Sequence, residues 1–173
     1  MSYYLLVLML FTFVNLSYHI IVLYFEYEKK VLTNIFHNQA FNIHSLISMG
    51  LWSINALMIL ALQFSDHPKF HSFPPMSIIG RIFFVIGVIL GLLGYLTLGL
   101  VRSLHYNFFF KMESKIVKKG IYKYLDNPEY EGLLLILLGY ALYTDSLFNL
   151  IIFLEFLILI VPLKFIEDKP LED

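Results

Sequence analysis

The chain has 173 residues, of which 59% are hydrophobic and only 14% charged, with a net charge of −1 and no cysteine; its mean hydropathy is +0.75. A soluble domain carries about a quarter charged residues, so the composition excludes an ordinary water-soluble fold and points to one compact unit, residues 1–173, in lipid. The near-neutral balance gives no basic field for nucleic acid, and the lack of cysteine excludes disulfides, thiolate metal sites and cysteine nucleophiles.

The first apolar run, Tyr3 to about Phe25, follows no basic residue and exceeds the roughly 7–15 residues of a signal-peptide core, so it is expected to stay as a membrane span. At about 1.5 Å per residue it can cross a hydrocarbon core of about 30 Å. A second run covers Ser45 to Phe64 and a third Ser77 to Val101. The third carries Gly80, Gly87, Gly91 and Gly94 on one helical stripe, a pattern that lets a neighbouring backbone approach closely. The last run, Gly132 to Leu163, is too long for one untilted crossing and is interrupted by the turn formers Thr144-Asp145-Ser146. It reads as a helical hairpin of about 132–143 and 147–166. Its short first arm either crosses with help from preceding residues or re-enters without a full crossing. The expected architecture is therefore all-α and polytopic, with about five hydrophobic helices and the last two as a hairpin.

If all five cross with the N-terminus outside, only Lys69 and Arg81 of the 12 Lys and Arg residues fall on the outer side. That imbalance places the 102–131 loop and the C-terminus in the cytoplasm, the membrane being the endoplasmic reticulum or a bacterial inner membrane. Asn127 is a natural N-cap, with Pro128 at the first helical position, where its missing N–H costs nothing. A hairpin also brings the Asp126–Gly132 stretch beside Glu167-Asp168, which follows the final apolar run.

Leu125-Asp126-Asn127-Pro128-Glu129-Tyr130-Glu131-Gly132 resembles the LDNPxYxG signature of phosphatidylethanolamine N-methyltransferases. These belong to a wider membrane methyltransferase superfamily in which isoprenylcysteine carboxyl methyltransferases carry an RHPxYxG version. Gly120-Ile-Tyr122-Lys-Tyr124 and the acidic pair are similar to that pattern too, and the likeness extends more weakly to helix order and to the Thr12–Lys30 region. The resemblance implies methyl transfer from S-adenosylmethionine to the amine of a membrane phospholipid, with catalytic roles for Asn127, Tyr130 and Glu167. It further implies donor binding by Gly99, Tyr122, Tyr124, Asn127, Pro128, Gly132, Glu167 and Asp168. Thr97–Arg102 keeps one glycine, Gly99, where the family usually shows a pair, and the acidic pair is Glu-Asp instead of Glu-Glu. Two other readings stand beside this one: a methyltransferase of another lipophile, such as an isoprenylcysteine-type carboxylate, and a catalytically silent lipid-binding or structural relative.

The chemistry is coherent with these residues. Ring faces of Tyr122, Tyr124 and Tyr130 suit a sulfonium, at about 0.5–2 kcal/mol each. Glu167 and Asp168 suit the donor's α-amino group, and helix-start N–H groups near Asn127 suit its carboxylate, although Glu129 and Glu131 in that turn oppose an anion. A carboxylate can accept the proton an ammonium must lose before methylation. Structural readings compete: Asp126-Asn127-Pro128 as a plain helix cap, Glu167-Asp168 as a solvated helix end, and Trp52 as packing. Lys111, Lys115, Lys118, Lys119 and Lys123 suit anionic headgroups, at about 1 kcal/mol each. Glu155, mid-span, needs protonation or a partner such as His19, Asn15 or Asn55. His67 and His71 have metal-pair spacing, but Pro68 and Pro74-Pro75 argue against a helix there, and no metal site is assigned.

Overall fold

The computed structural model describes residues 3–64, 68–70, 74–99, 103–105, 109 and 119–167. Six α-helices account for most of them: α1 (Tyr3–Lys29), α2 (Val31–Phe36), α3 (Ala40–Ala61), α4 (Pro74–Leu98), α5 (Pro128–Thr144) and α6 (Leu147–Glu167). By length and composition α1, the α2–α3 run, α4 and α6 can each cross a membrane. The 17 residues of α5 rise about 26 Å at the usual pitch. The expected all-α architecture of five main hydrophobic helices holds.

Three helix limits differ from the apolar runs, each for a local reason. α1 continues past Phe25 to Lys29, because charged residues at a helix end do not break it. Lys30 then adopts a left-handed φ of 49° and separates α1 from α2. The buried Glu26 holds this corner: its carboxylate accepts the backbone N–H of Leu32 at 2.8 Å, that of Thr33 at 3.3 Å, and the Thr33 hydroxyl. α4 stops at Leu98, not Val101, because Gly99 turns left-handed at φ +84°. α5 starts at Pro128, not Gly132, because Asn127 caps it: the Tyr130 N–H donates to the Asn127 Oδ1 at 3.4 Å.

The hairpin turn forms at the three residues that interrupt the last apolar run. Asp145 is left-handed (φ 53°) and its N–H closes the end of α5 onto the Ala141 carbonyl. Ser146 Oγ accepts the Asn149 N–H at 3.2 Å, which caps α6. Residues 68–70 strap this turn, with the Phe70 N–H donating to the Asp145 carbonyl and the Leu147 N–H to the Pro68 carbonyl.

Exposure runs opposite to that of a soluble bundle. Leu46, Leu57, Leu96 and Ile158 are about two-thirds exposed or more, while Thr12, Asn15, His19, His44, Ser48 and Asn55 are buried. Lipid is as apolar as leucine, so helix association there draws on close backbone approach and interhelical hydrogen bonds. α4 and α5 use the first means. They run antiparallel, and a Cβ on Gly87 would lie 2.6 Å from the Gly132 carbonyl oxygen, while one on Gly80 would lie 2.7 Å from that of Gly139. α1 and α3 use the second. The Asn55 amide donates to Thr12 Oγ1 at 2.8 Å, the Tyr4 hydroxyl to the Met58 carbonyl at 2.8 Å, and Trp52 Nε1 to His19 Nε2 at 3.2 Å.

An indole N–H can only donate, so His19 must be protonated on Nδ1, which donates to the Asn15 carbonyl at 2.8 Å. His19, His44 and His105 cluster with ring centroids 5.7–6.0 Å apart and their planes steeply inclined to one another. α6 closes the bundle against α1, with Phe156, Ile152, Leu5, Leu8 and Leu16 at its centre.

Candidate active site at the mouth of the hairpin

Three helix ends meet at one level: the last turn of α4, the first of α5 and the last of α6. Local capping and glycine packing place them. Gly94 lets Pro128 and Glu129 sit on α4, since a Cβ there would lie 3.1 Å from Pro128 Cγ and 2.9 Å from Glu129 Cγ. Glu129 Oε1 accepts the Ser103 hydroxyl at 2.8 Å, and the Ser103 N–H returns to the Gly99 carbonyl at 3.1 Å. Gly120, left-handed at φ +56°, rests on Thr97, so the short 3-10 turn Gly120–Lys123 also lies on the end of α4.

Between the arms of the hairpin lies a groove of about 390 Å³. Asn127, Tyr130, Glu131 and Leu134 form its α5 wall, and Ile160, Val161, Lys164 and Phe165 its α6 wall. The start of α5 and the end of α6 are therefore neighbours although Asp126 and Lys164 lie 38 residues apart in the chain, as the folded-back reading of the last apolar run requires. Lys164 also reaches the rim residue Asp126 at 4.0 Å. This exposed pair is worth about 0–1 kcal/mol.

The sequence-derived site residues divide by location. Asn127 and Tyr130 line the groove, and Tyr130 also packs against both buried clusters of the bundle. Gly99 borders open space at the end of α4, where a Cβ would meet nothing within 4 Å. Tyr122 is partly buried. Tyr124 is 77% exposed with Lys123 Nζ 5.7 Å above its ring, so it does not join Tyr130 in a common aromatic wall. Pro128 and Gly132 are buried in the α4–α5 seam, where a Cβ on Gly132 would lie 2.5 Å from the Gly91 nitrogen. Both thereby set the distance between α4 and α5. Glu167 ends α6, and Asp168 lies outside the described residues.

A family model for phospholipid methyltransferases matches residues 76–173, more than half of the chain. The chain belongs to the phospholipid methyltransferase family. No curated protein and no solved structure matches it. The family match begins at Met76, so it takes in α4, α5, α6 and the whole mouth of the hairpin but not α1–α3. Membership identifies the protein as a membrane methyltransferase by family and gives the groove and the adjoining end of α4 their context.

Several features of this phospholipid methyltransferase relative were not foreseen from sequence. The Ser103–Glu129 bond fixes the loop after α4 to the first turn of α5. Glu131 and Lys164 face one groove, a pairing whose only sequence signal is that each lies in the terminal turn of its arm. Of the partners expected for Glu155, His19 bonds Trp52 and the Asn15 backbone carbonyl and Asn55 bonds Thr12, while the buried side-chain amide of Asn15 has no hydrogen-bond partner among the described residues. Glu155 Oε2 has no hydrogen-bond partner among the described residues. His67 and His71 lie outside the described residues.

Proposed function

We propose that the chain transfers a methyl group from S-adenosylmethionine to the amine of a phospholipid headgroup, phosphatidylethanolamine or its methylated forms. One observation carries this reading: in a chain of this family, Asn127 and Tyr130 line a groove that is polar at its mouth and apolar below, between the two ends of the hairpin. A water-soluble donor and a lipid acceptor need such a junction. The donor side falls to Gly99, which borders open space, and to Tyr122, Asn127, Glu167 and Asp168. Glu167 and Asp168 pair with the donor's α-amino group. When bound, the donor supplies the methyl carbon: the N–C bond forms as the S–C electron pair returns to sulfur, and the ammonium's proton leaves beforehand to a carboxylate or water. The excess of Lys and Arg on one side supports a cytoplasmic mouth and C-terminus, in the endoplasmic reticulum or a bacterial inner membrane.

The test is transfer of labelled methyl from S-adenosylmethionine to phosphatidylethanolamine by purified protein in lipid nanodiscs. Loss of a hydrogen bond to a charged group costs about 1.5–3 kcal/mol, so Glu167→Ala is expected to lower turnover about 10- to 100-fold. Asn127→Ala removes the cap of α5 as well, at about 1 kcal/mol. Asn127→Asp keeps a capping oxygen and isolates the amide. Wild-type turnover in both Glu167→Ala and Asn127→Asp removes these residues from the site. Failure of folded wild-type protein to bind the donor at millimolar concentration overturns the reading in favour of a silent relative.

A further inference from the structure

Glu131 lies in the first turn of α5 and Lys164 in the last turn of α6, and the two line the groove from opposite walls. Deeper in, Leu134 faces Ile160 and Val161. The helix rise from Asn127 to Leu134 is about 10 Å, so the groove passes from a charged mouth to an apolar floor within the thickness of one headgroup and the first acyl carbons. Its α6 rim opens outward: Val161 is 50% and Phe165 71% exposed, on the face that meets lipid. A ligand that fits carries an anion and a cation at one end and hydrocarbon at the other.

We propose that this groove seats the acceptor lipid, an aminophospholipid whose phosphate meets Lys164 and whose ammonium meets Glu131, so that these two residues set headgroup selectivity. The acceptor role rests on the methyltransferase reading; the seat itself is a matter of binding. An anionic lipid without an amine leaves the Glu131 carboxylate facing its phosphate uncompensated. Inorganic phosphate satisfies Lys164 alone and leaves the apolar floor in contact with water or detergent. Asp126, 93% exposed and 4.0 Å from Lys164, holds the lysine at the rim in a screened pair that a phosphate can displace.

The experiment is photolabelling of the full chain in maltoside micelles, without donor. The probes are phosphatidylethanolamine and phosphatidylglycerol, each carrying a diazirine in one acyl chain. The ethanolamine lipid is expected to label the Leu134 and Ile160–Val161 peptides about tenfold more than the glycerol lipid, the effect of one charge-assisted hydrogen bond. Glu131→Gln is expected to erase that preference, and Lys164→Gln to lower labelling by both lipids. Millimolar inorganic phosphate should not compete. Equal labelling by the two lipids on wild-type protein, labels spread over the outer faces of α1 and α3, or displacement by phosphate alone overturns the seat. The headgroup comparison needs no variant, so a poorly folding mutant does not decide it. A chain that binds this lipid but no donor fails the methyltransferase reading and keeps the seat.

Discussion

Along the α4–α5 interface the helices meet backbone to backbone, whereas along α1–α3 they meet through buried polar side chains. The first contains Gly80, Gly87, Gly132 and Gly139, each with backbone of the opposite helix where a side chain would begin. The second contains the Asn55–Thr12, Trp52–His19 and Tyr18–His44 contacts, all crossing from one helix to the other. In water both pairs could rely on apolar burial. In lipid neither gains much from it, so each needs a directional or a short-range term. The difference matters for the site. Backbone contact fixes the interhelical distance with nothing left to rotate, and the α4–α5 seam ends at Gly94, Pro128 and Glu129, beside the mouth of the hairpin. Side-chain hydrogen bonds tolerate more adjustment, and the α1–α3 seam lies outside the residues that match the family.

The largest expected effect follows from adding a single carbon to the glycine seam. In Gly87→Ala the new methyl group would sit 2.6 Å from the Gly132 carbonyl oxygen and 2.7 Å from the Ile136 nitrogen, both backbone atoms that cannot swing aside. Overpacking of this kind costs about 1–3 kcal/mol. The helices must move apart, and the mouth of the hairpin moves with them. Thermal unfolding in micelles should show a clear drop in midpoint, with methyl transfer impaired even below it. An unchanged midpoint means that the helices do not touch at Gly87.

The polar seam should respond less. Asn55→Leu removes the bond to Thr12 at the centre of α1–α3, where such bonds average about 0.6 kcal/mol and reach about 1.7. A double-mutant cycle with Thr12→Val isolates the pair, since both side chains are buried. A coupling energy indistinguishable from zero removes the distinction between the two seams, because it leaves the α1–α3 contact to shape alone.

How legible each part was in the sequence depends on how far its cause reaches along the chain. The α5 start was readable because Asn127, Pro128 and Tyr130 fall within four residues and make one cap. The hairpin turn was readable for the same reason, Asp145 and Ser146 acting on Ala141 and Asn149. The glycine stripe on α4 announced a close neighbour, but nothing in it said that Gly132 and Gly139 were that neighbour, since pairing is set by the register of two helices. Gly132 therefore entered the reading as a donor contact and lies in a seam. Tyr122 and Tyr124, two apart, looked equivalent beside Tyr130; the 3-10 turn Gly120–Lys123 buries part of one and leaves the other facing outward. Glu155 was matched with polar residues at similar depth, yet depth alone does not fix rotation about the helix axis, and His19 and Asn55 turn to each other's helices instead. Glu131 and Lys164 share a groove only because the hairpin folds in one register.

The smallest expected effect has the opposite sign and sharpens the comparison most. Gly91 belongs to the same stripe as Gly87, four residues on, and by sequence the two are interchangeable. In the structure a Cβ on Gly91 would meet nothing within 4 Å. Only its backbone takes part in the seam, as the surface on which Gly132 rests. Alanine then gains helix propensity over glycine, about 0.5–1 kcal/mol, and loses no contact. Gly91→Ala should keep or slightly raise the unfolding midpoint while Gly87→Ala lowers it. A fall of similar size in both variants means that the stripe works through small volume in general. A split between them means that the seam is set by which glycines face the α5 backbone, and that the position of the hairpin mouth rests on Gly80, Gly87 and Gly94 at seven-residue intervals.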